Sequence, residues 1–236
     1  MRRNSLQRRV GGDTIKPTVA IDGPAGAGKS TVAKLVAERL QLDYLDTGAM
    51  YRAVTYFALA QNVDVHDEKA LEKLMASMDM EVSITDGKTI IIVNGEDVTD
   101  YLRQPAINAK VSYIASSPAV RWKLVSLQRQ LGEQGGIIMD GRDIGSNVLT
   151  KAPYKFFLTA DLRERARRRY LEFKENNIET TLEDVEKEIA RRDEIDKNRE
   201  IDPLVIPADG LVVDTTSMSI EEVADFICSK ITGKGV

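Results

Sequence analysis

The run Gly23-Pro24-Ala25-Gly26-Ala27-Gly28-Lys29-Ser30 has the three glycines and the terminal Lys-Ser of a phosphate-binding loop, the Walker A motif. Glycines let successive backbone N–H groups turn inward around phosphate oxygens, and a helix after the loop adds the positive end of its dipole. In such a loop Lys29 reaches the β- and γ-phosphates and the Ser30 hydroxyl ligates Mg²⁺, with Thr31 closing the segment. A bare glycine-rich turn that only stops a strand would not need the Lys-Ser pair.

Further candidates come after other apolar runs. Asp46-Thr47-Gly48-Ala49-Met50-Tyr51-Arg52 succeeds one, and Asp140-Gly141-Arg142-Asp143 another. Asp140 has the location of a carboxylate that holds Mg²⁺ or its waters, or else of a simple cap on the next turn. Arg163, Arg165, Arg167, Arg168 and Arg169 crowd one segment. Such a cluster is a solvated helix face or a lid whose guanidiniums meet a migrating phosphoryl group, where charge spreads over the equatorial oxygens. Arg192, Asp196 and Arg199 are spaced four and three apart, which puts them on one face of a continuing helix. Either Arg192 and Asp196 form a local ion pair of about 0.2 to 0.5 kcal/mol, or the three make a polar edge for phosphate and sugar.

The elements that must position these residues read as alternating strands and helices. Thr18-Val19-Ala20-Ile21 is a strand before the loop, and Val32, Leu35, Val36 and Leu40 carry helical spacing after it. Asp43-Tyr44-Leu45 is a second strand, with Thr47 as the expected cap of a helix to about Asn62. Asp67 opens another helix through Met78. The period then switches: Glu81–Thr85 and Thr89–Val93 flank Asp86-Gly87, a hairpin signal, and Asn94-Gly95 turns into Glu96–Val98. Helices are expected over Pro105–Ser116 and Pro118–Leu131, ended by Gly132 and Gly135-Gly136, with a strand next at Ile137–Asp140. Tyr154–Thr159 is a strand, Asp161–Asn176 a charged helix, Thr181 caps the next, Leu211–Val213 is the last strand, and Ser219-Ile220-Glu221-Glu222 is a capping box. Short strands alternating with helices call for a mostly parallel sheet covered on both faces, with ligands beyond the carboxyl ends of its strands.

Composition narrows the class. The 236 residues are 42% hydrophobic with a net charge of −4, which gives no global attraction to nucleic acid or membrane. A lone cysteine, Cys228, excludes an intramolecular disulfide and suits a cytoplasmic location, and the lone His66 lies in a polar stretch as a surface residue. Residues 1–16 include Arg2, Arg3, Arg8 and Arg9 without the apolar run of a secretory signal, and are expected to be a basic, disordered extension.

Together these segments resemble the bacterial cytidylate kinases, nucleoside monophosphate kinases of the P-loop superfamily, over about residue 17 to the end. The resemblance rests on the Ala20-Ile21-Asp22 approach to the loop, Leu45–Arg52, Val93–Val98, Asp140-Gly141-Arg142-Asp143-Ile144-Gly145 and Asp196-Lys197-Asn198-Arg199. It implies a three-layer α/β fold over 17–236, with a helical and antiparallel-β monophosphate-binding insertion at about 63–104 and an arginine-rich lid at about 163–192. It implies ATP as donor, Mg²⁺, CMP or dCMP as acceptor, and a monomer. Lys29, Arg142, Arg192 and Asp140 are the implied catalytic set. Tyr51, Arg52, Arg142 and Arg192 would surround the acceptor phosphate, Asp196 would meet the ribose, and Ser112, Arg121, Asp143 and Arg199 would line the base pocket. Thr47 stands where many members have serine and keeps the hydroxyl. Two rivals are a nucleotide switch, which should carry an Asn-Lys-x-Asp motif that Asp196-Lys197-Asn198 does not supply, and a kinase for another monophosphate or small metabolite.

Overall fold

A computed structural model describes residues 16–85 and 87–233. The expected basic extension with Arg2, Arg3, Arg8 and Arg9, and Asp86 of the Asp86-Gly87 turn, lie outside the described residues. The chain runs β1 (Val19–Asp22), α1 (Lys29–Leu40), β2 (Asp43–Asp46), α2 (Thr47–Ala60), α3 (Glu68–Ser77), β3 (Met80–Thr85), β4 (Lys88–Val93) and β5 (Glu96–Asp97). It continues through α4 (Pro105–Ile114), α5 (Pro118–Gly132), β6 (Ile137–Gly141), β7 (Tyr154–Thr159), α6 (Leu162–Glu175), α7 (Leu182–Asn198), β8 (Leu211–Asp214) and α8 (Ile220–Thr232).

The central sheet has the order β2-β6-β1-β7-β8, and all its pairings are parallel. Alternation along the strands makes it the middle of three layers. Val19 and Ile21 of β1 and Ile138 of β6 enter a core with Val32, Val36, Val223 and Ile227 of α1 and α8. Ala20, Ile137 and Met139 point the other way, into a core with Met50, Val54, Leu71, Ile114 and Leu124 of α2 to α5. Each strand buried on both faces therefore reads as a continuous apolar run. The β3-β4-β5 sheet is antiparallel and closes the second core with Ile91 and Val93. α6 and α7 meet over the glycine-rich loop, where Ala25 packs with Ala166, Val185 and Ile189.

The expected caps hold at Asp67, Thr181 and the Ser219–Glu222 box. Three local expectations are corrected. Asp46, not Thr47, caps α2: its carboxylate accepts the Ala49 N–H, and Thr47 is already helical. Gly132 is the last residue of α5, and the chain reverses instead at Gly135 and Gly136, both at positive φ. Arg199 is extended (φ −61°, ψ 142°), so it leaves the helix axis after Asn198 and does not share a helical face with Arg192 and Asp196. Among the described residues no helix is long and apolar enough to cross a membrane.

Candidate active site

The glycine-rich loop joins the carboxyl end of β1 to the first residue of α1. Gly23 has φ 146°, and a Cβ there would lie 2.0 Å from the Leu158 carbonyl oxygen, so only glycine fits between β1 and β7. Lys29 is buried, and its Nζ donates to the Pro24 carbonyl at 2.7 Å. Burial and the nearby Arg142 push this ammonium down to about 7. An ammonium held by one neutral acceptor gains most from an anion entering the loop. Ser30 Oγ donates to Asp140 Oδ2 at 2.9 Å, and Tyr44 donates to Asp140 Oδ1 at 2.7 Å. Burial, then Asp46, raises the Asp140 carboxyl above the usual range. The Asp140 carboxylate thus faces the loop serine instead of capping the turn after it. A hydroxyl and a carboxylate oxygen side by side are hard oxygen donors of the kind Mg²⁺ takes from a protein when phosphates and water complete its shell.

Across the same cavity lie the residues expected around an acceptor. Arg142 Nε donates to Asp196 Oδ2 at 2.7 Å, so Asp196 pairs with Arg142 rather than making the local pair with Arg192. Burial and Arg142 lower the Arg192 guanidinium to about 10. Arg52 donates to Asp46 at 2.7 Å. Among the described residues, three buried side-chain atoms lack a hydrogen-bond partner: Arg52 Nε, Arg192 Nε and Ser112 Oγ. All three residues line the cavity. A buried guanidinium N–H without a protein partner costs about 1 to 3 kcal/mol where water is excluded as well, and the arginines that carry these groups line a cavity suited to an anionic ligand.

At the far end Asp143 accepts from two buried guanidiniums, Arg121 through Oδ2 and Arg199 through Oδ1 at 2.9 Å. Arg121 also donates to Asp202 at 2.9 Å and to the Tyr51 hydroxyl at 3.3 Å. Asp143 therefore sits opposite Arg121 and Arg199, and not in a local pair with Arg142. Thr47 donates to the Asp140 carbonyl at 2.7 Å, tying the start of α2 to β6.

The arginine cluster divides. Arg167, Arg168 and Arg169 line the cavity. Arg168 donates to the Thr215 carbonyl, while Arg163 is exposed, 3.6 Å from Glu186, and Arg165 is buried against Asp193. Arg163 and Arg165 do not line the cavity, so of the five arginines Arg167, Arg168 and Arg169 are the ones placed to meet a phosphoryl group. The sequence assigns no site role to several further residues of consequence. Thr215 to Ile220, after β8, line the cavity beside Thr31. Thr89 of β4 accepts the Asp46 N–H at 3.0 Å and donates to the Tyr44 carbonyl at 3.1 Å, fastening the antiparallel sheet to β2. Asp22 accepts the Ile144 and Gly145 N–H groups, both at 2.7 Å, and so fixes the turn that presents Arg142 and Asp143.

The cavity these elements enclose is about 940 Å³, large enough for more than one nucleotide-sized ligand. A family model described as cytidylate kinase matches residues 19–233. The cytidylate kinase of Bacillus subtilis (strain 168) is 50% identical over 219 residues, covering 93% of this chain and 98% of that protein. The cytidylate kinase of Geobacillus thermodenitrificans is 52% identical over 206 residues, covering 87% and 92%. A solved structure of an uncharacterized protein from Eubacterium ventriosum shares the fold, with a TM-score of 0.52 at 10% identity over 93% of this chain and all of that one. With a phosphate loop, an arginine-lined cavity and half its residues in common with these enzymes, the chain belongs to the cytidylate kinase family.

Proposed function

We propose that the protein transfers the γ-phosphoryl group of ATP to CMP or dCMP, giving ADP and CDP or dCDP. The observation that carries this reading is the gathering of Arg52, Ser112, Arg142 and Arg192 on the lining of the same cavity as the phosphate loop. Residues Gly23 to Thr31 take the donor phosphates, and the 215–220 segment beside Thr31 takes the donor's base. Tyr51, Arg52, Arg142 and Arg192 hold the acceptor phosphate, Asp196 the ribose, and Ser112, Arg121, Asp143 and Arg199 the cytosine. Bound between Ser30 and Asp140, Mg²⁺ would neutralise charge on the donor's phosphate oxygens.

No general base is needed. An acceptor monophosphate, with a second pKa of about 6, is already a mostly dianionic nucleophile at neutral pH. What the protein supplies is position and charge. Arg142 and Arg192 repel each other, and a dianion between them relieves that repulsion; Lys29 leaves the Pro24 carbonyl for the transferred group. The absence of histidine and cysteine from the cavity lining fits a reaction of this kind. The unpaired Cys228 supports a cytoplasmic setting, in which the protein serves pyrimidine nucleotide metabolism as a monomer acting on small molecules.

A panel of acceptors with ATP tests the reading. ADP release should be fast with CMP or dCMP and slow with AMP, GMP, shikimate or no acceptor. Comparable turnover with any of the latter overturns the assignment.

A further inference from the structure

The buried ion pair Arg165–Asp193 takes no part in the reaction described above. Arg165 comes from the first turns of α6 and Asp193 from α7; Nη1 and Oδ2 are 2.7 Å apart, and both residues are less than a tenth exposed. The pair also makes three hydrogen bonds to backbone. Arg165 Nη1 also donates to the Ala25 carbonyl at 2.9 Å, Arg165 Nε donates to the Ala160 carbonyl at 2.9 Å, and Asp193 Oδ1 accepts the Ala25 N–H at 3.3 Å. The pair thus holds both the N–H and the C=O of one residue of the phosphate loop. The next residue, Gly26, has φ 75°, and a Cβ there would lie 2.9 Å from the Arg165 carbonyl oxygen. The loop and the base of the α6–α7 pair are in direct contact with no room between them.

A buried ion pair is weak evidence for stability, because desolvation offsets much of its attraction and apolar side chains of similar size often serve as well or better. Here the hydrogen bonds that the pair makes outside itself end on one loop residue and on Ala160 just after β7, which points to geometry as the role. We propose that Arg165 and Asp193 are positioning residues for the phosphoryl donor. The pair clamps Ala25 so that the loop's N–H groups are set for phosphate before it arrives. It also joins the loop to α6, so that Arg167, Arg168 and Arg169 approach the same phosphates from a fixed origin. The proposal rests on the assignment of the loop to ATP.

Two variants test it. Arg165→Lys keeps a charge for Asp193, but one ammonium cannot reproduce the guanidinium's fixed fork to Asp193, Ala25 and Ala160. The double variant Arg165→Met/Asp193→Leu removes both charges together, so neither is left unpaired, and frees the Ala25 N–H and the Ala25 and Ala160 carbonyls from their side-chain partners. Steady-state kinetics with ATP and CMP, ADP binding by titration calorimetry, and thermal unfolding are measured on each. The expected result in both is a rise in KM for ATP and in Kd for ADP of at least about tenfold, the scale of losing one charge-assisted hydrogen bond. KM for CMP should stay within about twofold, because the acceptor's own partners are untouched. In the double variant the stranded Ala25 and Ala160 backbone groups should lower the unfolding temperature modestly and the folded protein should bind ADP weakly, whereas a merely structural pair would lower the unfolding temperature and leave ADP binding by the folded protein unchanged. Unchanged ADP binding in either folded variant, or KM for ATP and CMP rising together, overturns the proposal; should the double variant not fold, Arg165→Lys decides. A wild type that fails to phosphorylate CMP would contradict the assigned activity instead, and ADP binding would still judge the clamp.

Discussion

Asp143 carries two tasks that one experiment can separate. It neutralises Arg121 and Arg199, both buried, and under the proposed function it also reads the base. Cytosine offers an exocyclic amine as donor beside an N3 acceptor, and uracil reverses both. A carboxylate beside Arg121 matches the first edge and is repelled by the second. Asp143→Asn should therefore lower kcat/KM for CMP while sparing or improving UMP, since an amide presents a donor to the uracil carbonyl. Some stability should be lost as well, because two guanidiniums lose their counter-charge. Steady-state rates on both nucleotides decide, and an unchanged CMP-to-UMP ratio would reduce Asp143 to a counter-ion. Asp22 makes a different kind of prediction. Burial lifts its carboxyl from 3.8 to about 6, so the folded state favours the protonated form. The stability this group contributes is full below about pH 4 and is lost as pH rises through about 6, roughly 3 kcal/mol in all. Asp22→Asn has no such loss. Urea unfolding of both proteins at about pH 4 and pH 7 should show the difference between them shifting toward the variant by that order at the higher pH; a constant difference contradicts the buried charge.

At the scale of elements, the site depends on fastenings between segments far apart in the chain. Thr89 joins β4 to β2 beside Asp46, and Asp46 both caps α2 and pairs with Arg52. Thr89→Val keeps the shape but strands the buried Asp46 N–H, at a cost of about 1 to 3 kcal/mol. Thermal unfolding should drop accordingly and KM for CMP should rise, with KM for ATP little changed; a variant with normal KM for CMP would detach the antiparallel sheet from acceptor binding. Such fastenings also mark the limit of what the sequence discloses. The phosphate loop, Asp140, the eight strands and most caps are legible because each depends on a short window: apolar alternation, helical spacing, a polar residue before a helix. The resemblance brings in Ser112 and Arg121, which no local pattern singles out, and gives Tyr51, Arg52 and Arg192 their particular roles. Asp193 is invisible in the sequence because its partners, Ala25 and Arg165, are 168 and 28 residues away, and nothing in the charged run of α7 distinguishes it from Glu194. Thr47 reads as a cap because Asp46 and Thr47 are both good capping residues, and only the turn of the backbone after β2 chooses between them. Arg199 reads as part of a helical face because periodicity does not show where a helix stops.

On the scale of the whole molecule, the cavity is bounded by α6 and α7 on one side and by α4 and its neighbours on the other. Contacts between the two sides are polar and exposed: Arg191 of α7 donates to the Tyr113 hydroxyl at 2.7 Å and to the Ala109 carbonyl at 3.0 Å of α4, and Arg103 lies 3.8 Å from Glu172 of α6. Exposed pairs of this kind contribute about 1 kcal/mol or less, which suits an entrance that opens for each nucleotide and closes to exclude water. Inside, the phosphate loop with Lys29 shares one cavity with Arg142 and Arg192, so under the proposed function a phosphoryl group leaving the loop would meet a bound acceptor. The measurement that tests this arrangement most directly is the fate of the label from [γ-³²P]ATP incubated with the protein, Mg²⁺ and CMP. Label recovered in CDP, in step with ADP formed, is the predicted result; label recovered in inorganic phosphate, or left in ATP with CMP unchanged, would contradict it.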